Sequence, residues 1–325
     1  MMRAGIIGTG NIAGVHLRFL KERRDVRIVA LCDIKPEALA RRQAEYGGRG
    51  YADLHEMLAR EELDVVWLCT PPDVRRAPLL DCAQRGIPVM CEKPVARRAA
   101  DARASAHVLA KAKARIQVGY VFRSLPIVAR LRACMADDVI RTVQSFYGCP
   151  MSRERTMPAW FFDKVLSGGA LIDQATHNFD LLRFLFGDMH EVRGLAHNPA
   201  TAKHKGYTID ETIALCMRFN NGIVGTHTHT WLADGWRNEI VLSGEKRLYR
   251  LDLGRQVLWV DDGRRVRQHA PKHRGLYYHE NAVFLQQLRR DDWRANPSTF
   301  ADAVRSLELT LACDRAVETG RTVRL

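Results

Sequence analysis

No run of apolar residues in this 325-residue chain approaches the ~20 needed to cross a bilayer, so no membrane span is expected. The start, Met1-Met2-Arg3-Ala4, leads straight into a strand-like segment. It lacks the apolar stretch and small-residue cleavage site of a signal peptide, so a cytoplasmic location is expected. The chain holds 8 cysteines, and no two form a C-x-x-C pair. A disulfide scaffold is short with closely spaced cysteines, and that class is excluded here. Several thiols lie inside apolar runs, as Cys69 does after Val65-Val66-Trp67-Leu68, and read as reduced and buried. Internal repeats, low-complexity tracts and flexible linkers are also missing.

What is present fits a globular protein with ample core: 46% hydrophobic and 27% charged residues. The length suggests two domains. Net charge is +13 and the sequence pI is near 9.6. The basic residues are scattered, as in Arg97-Arg98, Lys111, Lys113 and Arg115. They read as a solvated surface that attracts anionic cofactors and substrates, and not as a nucleic-acid footprint.

The first part alternates strand and helix patterns. Residues 4–7, 26–31, 65–69 and 87–90 read as strands. Residues 12–20, 36–46, 77–85 and 99–114 read as helices, with Pro36 in a first turn and Gly86 closing the third. Ile116-Gln117-Val118 follows. Such alternation argues for a parallel, doubly wound sheet. After about residue 120 the pattern changes. Helices are expected at 125–135 and 170–186, and strands at 139–147, 189–196, 211–219, 223–231, 239–243, 248–253 and 257–260. Turn signals Asn220-Asn221-Gly222, Ser243-Gly244 and Asp261-Asp262-Gly263 punctuate them, which indicates an antiparallel sheet. Helices at 278–290 and 300–318 close the chain. The expected division is a domain of residues 1–120 and a second of 121–325, with a short hinge at 119–124. The last helix is free to return to the first domain.

Gly8-Thr9-Gly10-Asn11-Ile12-Ala13 follows a strand and opens a helix. It reads G-x-G-x-x-A, a variant of the dinucleotide fingerprint. Gly8 suits a turn too tight for a side chain, Gly10 lets backbone approach a pyrophosphate, and Ala13 lets helix pack on strand. The helix N-terminus offers free N–H groups to phosphates. An acid, Asp33, ends the second strand where a carboxylate would bind ribose hydroxyls and repel a 2′-phosphate. NAD is favoured on that ground, while the nearby Lys35 leaves NADP open.

Three further constellations follow. Thr70-Pro71-Pro72 lies at the carboxyl end of the third strand, where ligands of such sheets bind. Glu92-Lys93-Pro94 follows the fourth strand, and the Lys93 ammonium could stabilise charge on a substrate oxygen. In Ser167-Gly168-Gly169-Ala170-Leu171-Ile172-Asp173-Gln174-Ala175-Thr176-His177, the acid and the histidine are four apart, on one helical face. His177 can accept and return a proton near neutral pH, and Asp173 can fix its tautomer. Trp160, Phe161 and Phe162 suit either a pocket wall or core.

These four constellations, in this order, resemble the glucose–fructose oxidoreductase / inositol dehydrogenase / rhizopine-catabolism (Gfo/Idh/MocA) family. The resemblance implies an α/β protein: a Rossmann domain with a doubly wound parallel sheet, then a C-terminal α/β domain with a large open, mainly antiparallel sheet. That sheet is implied to join subunits into a homodimer or homotetramer. The implied activity is hydride transfer between NAD(P) and a secondary alcohol or carbonyl of a sugar, inositol or related polyol. Lys93, Asp173 and His177 would handle the proton. Cofactor contacts are expected from Gly8, Thr9, Gly10, Asn11, Ile12, Asp33, Lys35, Thr70, Pro71, Pro72, Glu92 and Lys93. Substrate contacts are expected from Lys93, Arg123, Trp160, Asp173 and His177. Two alternatives stand beside this: an NAD-retaining enzyme that cleaves glycosides, and a non-catalytic NAD-dependent metabolite sensor. No nucleic acid, membrane or metal partner is expected. His227 and His229 share a strand face, but no third ligand at diagnostic spacing accompanies them. His273 and His279 carry the same question.

Overall fold

The computed structural model describes residues 1–154, 157, 159–198, 206–272 and 274–325. The chain divides into two compact units, one of 1–121 with 275–304, the other of 122–274 with 305–325.

The first unit begins β1 (Met2–Ile7), α1 (Asn11–Lys21), β2 (Val26–Cys32), α2 (Pro36–Tyr46), β3 (Arg49–Tyr51) and α3 (Leu54–Arg60). It continues with β4 (Val65–Leu68), α4 (Arg76–Gln84), β5 (Val89–Cys91), α5 (Ala99–Lys111) and β6 (Ile116–Val118). The strands form one parallel sheet in the order β3-β2-β1-β4-β5-β6. All four residues of β4 are buried, as expected of a central strand covered on both faces. Order reverses between β1 and β4, which makes the crevice at their carboxyl ends the place where such sheets bind ligands.

The second unit contains α6 (Pro126–Met135), β7 (Ile140–Gly148), two one-turn helices, α7 (Met151–Glu154) and α8 (Lys164–Ser167), and α9 (Thr176–Phe186). Then come β8 (Met189–His197), β9 (Thr212–Phe219), β10 (Val224–Thr230), β11 (Arg237–Gly244), β12 (Leu248–Asp252), β13 (Val257–Asp261) and β14 (Val266–His269). In β9 the inward residues Ile213, Leu215, Met217 and Phe219 are buried while alternate residues face outward, the period of a half-buried strand.

The chain then returns to the first unit with α10 (Leu276–Arg290) and the start of α11 (Phe300–Thr319). Phe284 of α10 packs edge-on against Trp67 of β4, and Tyr278 against Phe19 of α1. The last strand, β15 (Val323–Arg324), pairs with β8 and completes a nine-stranded sheet, β14-β13-β12-β11-β7-β10-β9-β8-β15. Its pairs are antiparallel except β7 with β10, so the sheet is mixed.

Candidate active site

The turn between β1 and α1 is only Gly8-Thr9-Gly10. Gly8 has φ +85°, and a β-carbon there would lie 2.8 Å from the Thr70 amide nitrogen. The glycine loop thus packs backbone to backbone on the Thr70-Pro71-Pro72 segment. At Gly10 the situation is opposite: a β-carbon would meet nothing within 4 Å. Gly10 caps α1 with no side-chain hydrogen bond, and no acid sits in the first turn. The first-turn N–H groups, with Asn11 and Ile12 leading, have no helical partner. Together with the helix dipole they suit an anionic diphosphate.

Asp33 braces this loop. Its Oδ2 accepts from Thr9 N at 2.6 Å and from Thr9 Oγ1 at 2.9 Å, and its Oδ1 accepts from Lys35 N at 2.8 Å. A carboxylate has about four lone-pair sites, so about one remains, on Oδ1, for a ribose hydroxyl. Lys35 is exposed at the start of α2. Arg42, absent from any motif, donates to the carbonyls of Thr9 at 3.4 Å and Gly10 at 3.2 Å.

A second residue without a motif joins two that have one. Arg75 is 4% exposed, and its Nε donates to the Thr70 carbonyl at 2.8 Å. One of its terminal nitrogens donates to the Glu92 carbonyl at 2.5 Å and also to that of Pro94. Lys93 stands two positions beyond the end of β5, between these anchored carbonyls. Glu92, expected among the cofactor contacts, is turned inward. It is buried, its Oε1 bonded to His16 Nε2 at 2.9 Å and its Oε2 accepting from Lys93 N at 3.1 Å.

In the second unit, Gly168 and Gly169 hold φ +85° and +72°, ending α8 and redirecting the chain. The Asp173/His177 spacing predicts one regular helical face. Instead, Leu171–Ala175 winds as a π-helix before α9 begins. Its wider i→i+5 turn leaves four positions short of a full revolution. The wide turn is pinned by Gln174, whose Oε1 accepts from Trp231 Nε1 at 2.6 Å and Cys149 Sγ at 3.2 Å. His177 is buried in the first turn of α9, its ring 5.6 Å from that of Phe122. The Tyr147 phenol is pushed up by burial, with the charges of Cys149 and Asp173 adding to it.

The remaining substrate candidates separate. Trp160 is 53% exposed, while its neighbours Phe161 and Phe162 are core. Arg123 is buried and grips Asp180 of α9 with Nε–Oδ2 at 2.7 Å and a second contact at 2.5 Å. His227 and His229 are fully buried. His227 Nδ1 meets Ser145 Oγ at 2.9 Å, and burial pushes its imidazole down to about 3. His229 stands edge-on to Tyr147, its imidazole also driven down by burial and then by His227. His279 lies on α10 beside Tyr278, and His273 falls outside the described residues.

The strand order and the open, uncapped helix at its switch point define a dinucleotide-binding Rossmann protein. Comparison with known proteins narrows the class. The family model described as "Oxidoreductase family, NAD-binding Rossmann fold" matches residues 2–120, and the "GFO/IDH/MocA C-terminal domain" matches 131–250. The chain belongs to the Gfo/Idh/MocA oxidoreductase family. It is 33% identical to the rhizopine catabolism protein MocA of Rhizobium meliloti over 57% of this chain and 57% of that protein. That alignment therefore spans little more than half of the relative's length. Identity to the myo-inositol 2-dehydrogenase of Thermotoga maritima is 25%, over 100% of this chain and 98% of that one. A solved levoglucosan dehydrogenase in complex with NADH shares the fold, with TM-score 0.86 at 19% identity, covering 99% of this chain and 98% of that one. Among the described residues, no helix is long and apolar enough to cross a membrane.

Proposed function

We propose that this chain is an NAD-dependent dehydrogenase acting on a secondary hydroxyl, or the corresponding carbonyl, of a sugar, inositol or related polyol. The observation that carries this reading is the uncapped N-terminus of α1 at Gly10, braced by the Asp33 carboxylate. The inositol and levoglucosan dehydrogenases among its relatives support the alcohol chemistry. When bound, NAD supplies the hydride acceptor. Asp33 accepts from a ribose hydroxyl and disfavours a 2′-phosphate, so NAD is preferred to NADP despite Lys35.

Lys93 polarises the substrate oxygen and stabilises charge that builds on it. His177 takes the hydroxyl proton during oxidation and returns it during reduction. Asp173 orients the imidazole. In support, Asp173 lies in a π-helical turn, a local geometry frequent at functional sites. Trp160 offers an exposed ring to the apolar face of a sugar. Arg123 serves the site through Asp180, by holding α9. The outward face of the nine-stranded sheet, with Leu195 71% and Val224 55% exposed, is assigned to contact between copies in a dimer or tetramer.

The test is a spectrophotometric panel of inositols, aldoses and sugar acids with NAD and NADP. The expected result is NADH formed in step with oxidised product, faster than NADPH. Free sugar released from a glycoside without NADH would replace this reading with retained-cofactor glycoside cleavage. Ligand affinity without turnover across the panel would replace it with a sensor.

A further inference from the structure

Three ionisable side chains from separate elements meet inside the first unit: His16 of α1, Glu92 after β5 and Glu280 of α10. One nitrogen or oxygen of each lies within 4.8 Å of the other two. All three are buried. Among the described residues it is the only group of three histidine, cysteine, aspartate or glutamate side chains set this close.

Hydrogen bonds fix where protons sit. Asn281 Oδ1 accepts from Trp67 Nε1 at 2.7 Å, and Asn281 Nδ2 donates to the Tyr277 carbonyl at 2.7 Å. An indole N–H only donates and a carbonyl only accepts, so the amide has one orientation. His16 Nδ1, 3.0 Å from that Oδ1, therefore carries a proton. On its other side, His16 Nε2 meets Glu92 Oε1, while Glu92 Oε2 accepts the Lys93 amide proton. Glu92 accepts at Oε2 from the Lys93 amide, and an ionised Glu92 accepts at Oε1 as well from a His16 ring protonated at both nitrogens. Glu280 differs: both its oxygens are buried with no hydrogen-bond partner among the described residues. Two carboxylates this close in an apolar interior do not both ionise.

Titration tendencies agree. Burial, then the charge of Glu92, raises the Glu280 carboxyl well above the usual range. For Glu92 burial acts upward but is outweighed by the His16 hydrogen bond and charge, then by Lys93 and Arg75, so its carboxyl is held down. Among the other titratable neighbours, the thiols of Cys69 after β4 and Cys91 of β5 are pushed up by burial and so uncharged, and Tyr277 of α10 stands edge-on to His16 at 5.6 Å.

We propose that Glu280 is the uncharged acid of a His16–Glu92–Glu280 cluster that holds the Lys93 main chain, making His16 and Glu280 positioning residues for the proton chemistry assigned to Lys93. Glu92 grips the Lys93 N–H from one side while Arg75 holds the flanking carbonyls. An ionised Glu280 would compete for the His16 proton and repel Glu92, loosening that grip. The link joins α1, whose N-terminus faces the cofactor, to the lysine. Its role rests on the reading of Lys93 given above; its protonation does not.

Two measurements on the full chain with bound NAD test it. Infrared spectra at about pH 7.5, well above the ordinary glutamate value of ~4.3, should show a protonated-acid carbonyl band that Glu280→Gln removes. Absence of that band, or its survival in Glu280→Gln, overturns the proposal. Hydrogen exchange at the Lys93 amide supplies the second readout. Protection should persist in Glu280→Gln, whose amide mimics the neutral acid. It should drop ~10-fold in Glu92→Gln, as expected on losing a hydrogen bond to a charged acceptor. After correction for intrinsic exchange, protection in the parent should also fall as Glu280 ionises at alkaline pH, and stay flat in Glu280→Gln. Equal protection in all three proteins at every pH overturns the positioning role. Normal turnover in Lys93→Ala, with the infrared band intact, would instead sink the Lys93 assignment and leave the cluster standing.

Discussion

Asp33 and Thr9 are 24 positions apart, yet one carboxylate oxygen of Asp33 takes both the backbone N–H and the hydroxyl of Thr9. The residue proposed to read the ribose is thus also the one that braces the glycine loop. Asp33→Ser removes both functions. NAD affinity should fall about 10–100-fold, since hydrogen bonds to a charged group contribute ~1.5–3 kcal/mol. NADP should lose less and become the better cofactor. NADH and NADPH fluorescence titrations check this; an unchanged affinity ratio would contradict it.

Arg123 and Asp180 form a pair with side chains 4% and 1% exposed. Asp180 also accepts from Ser306 Oγ at 2.6 Å. Arg123→Ala leaves a buried carboxylate without its counter-ion and should destabilise folding by ~3–5 kcal/mol. Urea unfolding measures it. A loss within ~0.5 kcal/mol, typical of surface substitutions, would show that the pair does not hold α9.

Burial of neutral His227 and His229 makes stability depend on pH. Their folded values are depressed, His227 to about 3. The unfolded chain takes up protons below ~6.5 while the folded one does not. Stability is therefore full above ~6.5 and falls as pH drops toward 3, by ~1.4 kcal/mol per unit per histidine. Glu280 works in the opposite sense, since its raised value means that the unfolded chain ionises first as pH rises. Comparing variants isolates the histidines. His229→Leu should lose about 2 kcal/mol less than the parent between pH 6.5 and 5. Equal pH slopes in denaturant titrations would refute the neutral state.

Cys216 is exposed on β9, beside Arg193 of β8 and Thr226 of β10 on the outward sheet face. If copies meet there, its reaction with a thiol reagent should slow as protein concentration rises, in step with dimer formation by sedimentation. A rate independent of concentration would remove this face from the assembly.

Much of the fold could be read along the chain because its signals are local. Helix α2 runs from Pro36 to Tyr46 as its first-turn proline and pattern predict, and the alternation in β9 gives its strand directly. The glycine loop was legible for the same reason. Short edge elements were not: β3 has only three residues, and β14 alternates polar residues without an apolar run. Helix α3 did carry a signal, Asp53 capping the Glu56 amide at 2.8 Å, in the D-x-x-E spacing of a capping box. The parallel pairing of β7 with β10 and the π turn before His177 depend on tertiary partners such as Trp231. Arg75, His16 and Glu280 matter through residues far away in sequence, as His16 does through Asn281, 265 positions on. No local pattern announces such partners.

The most direct test of the central claim measures turnover and NAD binding together in Lys93→Ala and His177→Ala, using a polyol that the parent oxidises. Both variants should bind NAD within about threefold of the parent. Turnover should fall by at least ~100-fold, the scale of a lost general acid or base. Parent-like turnover in both variants, with NAD still bound, would contradict it.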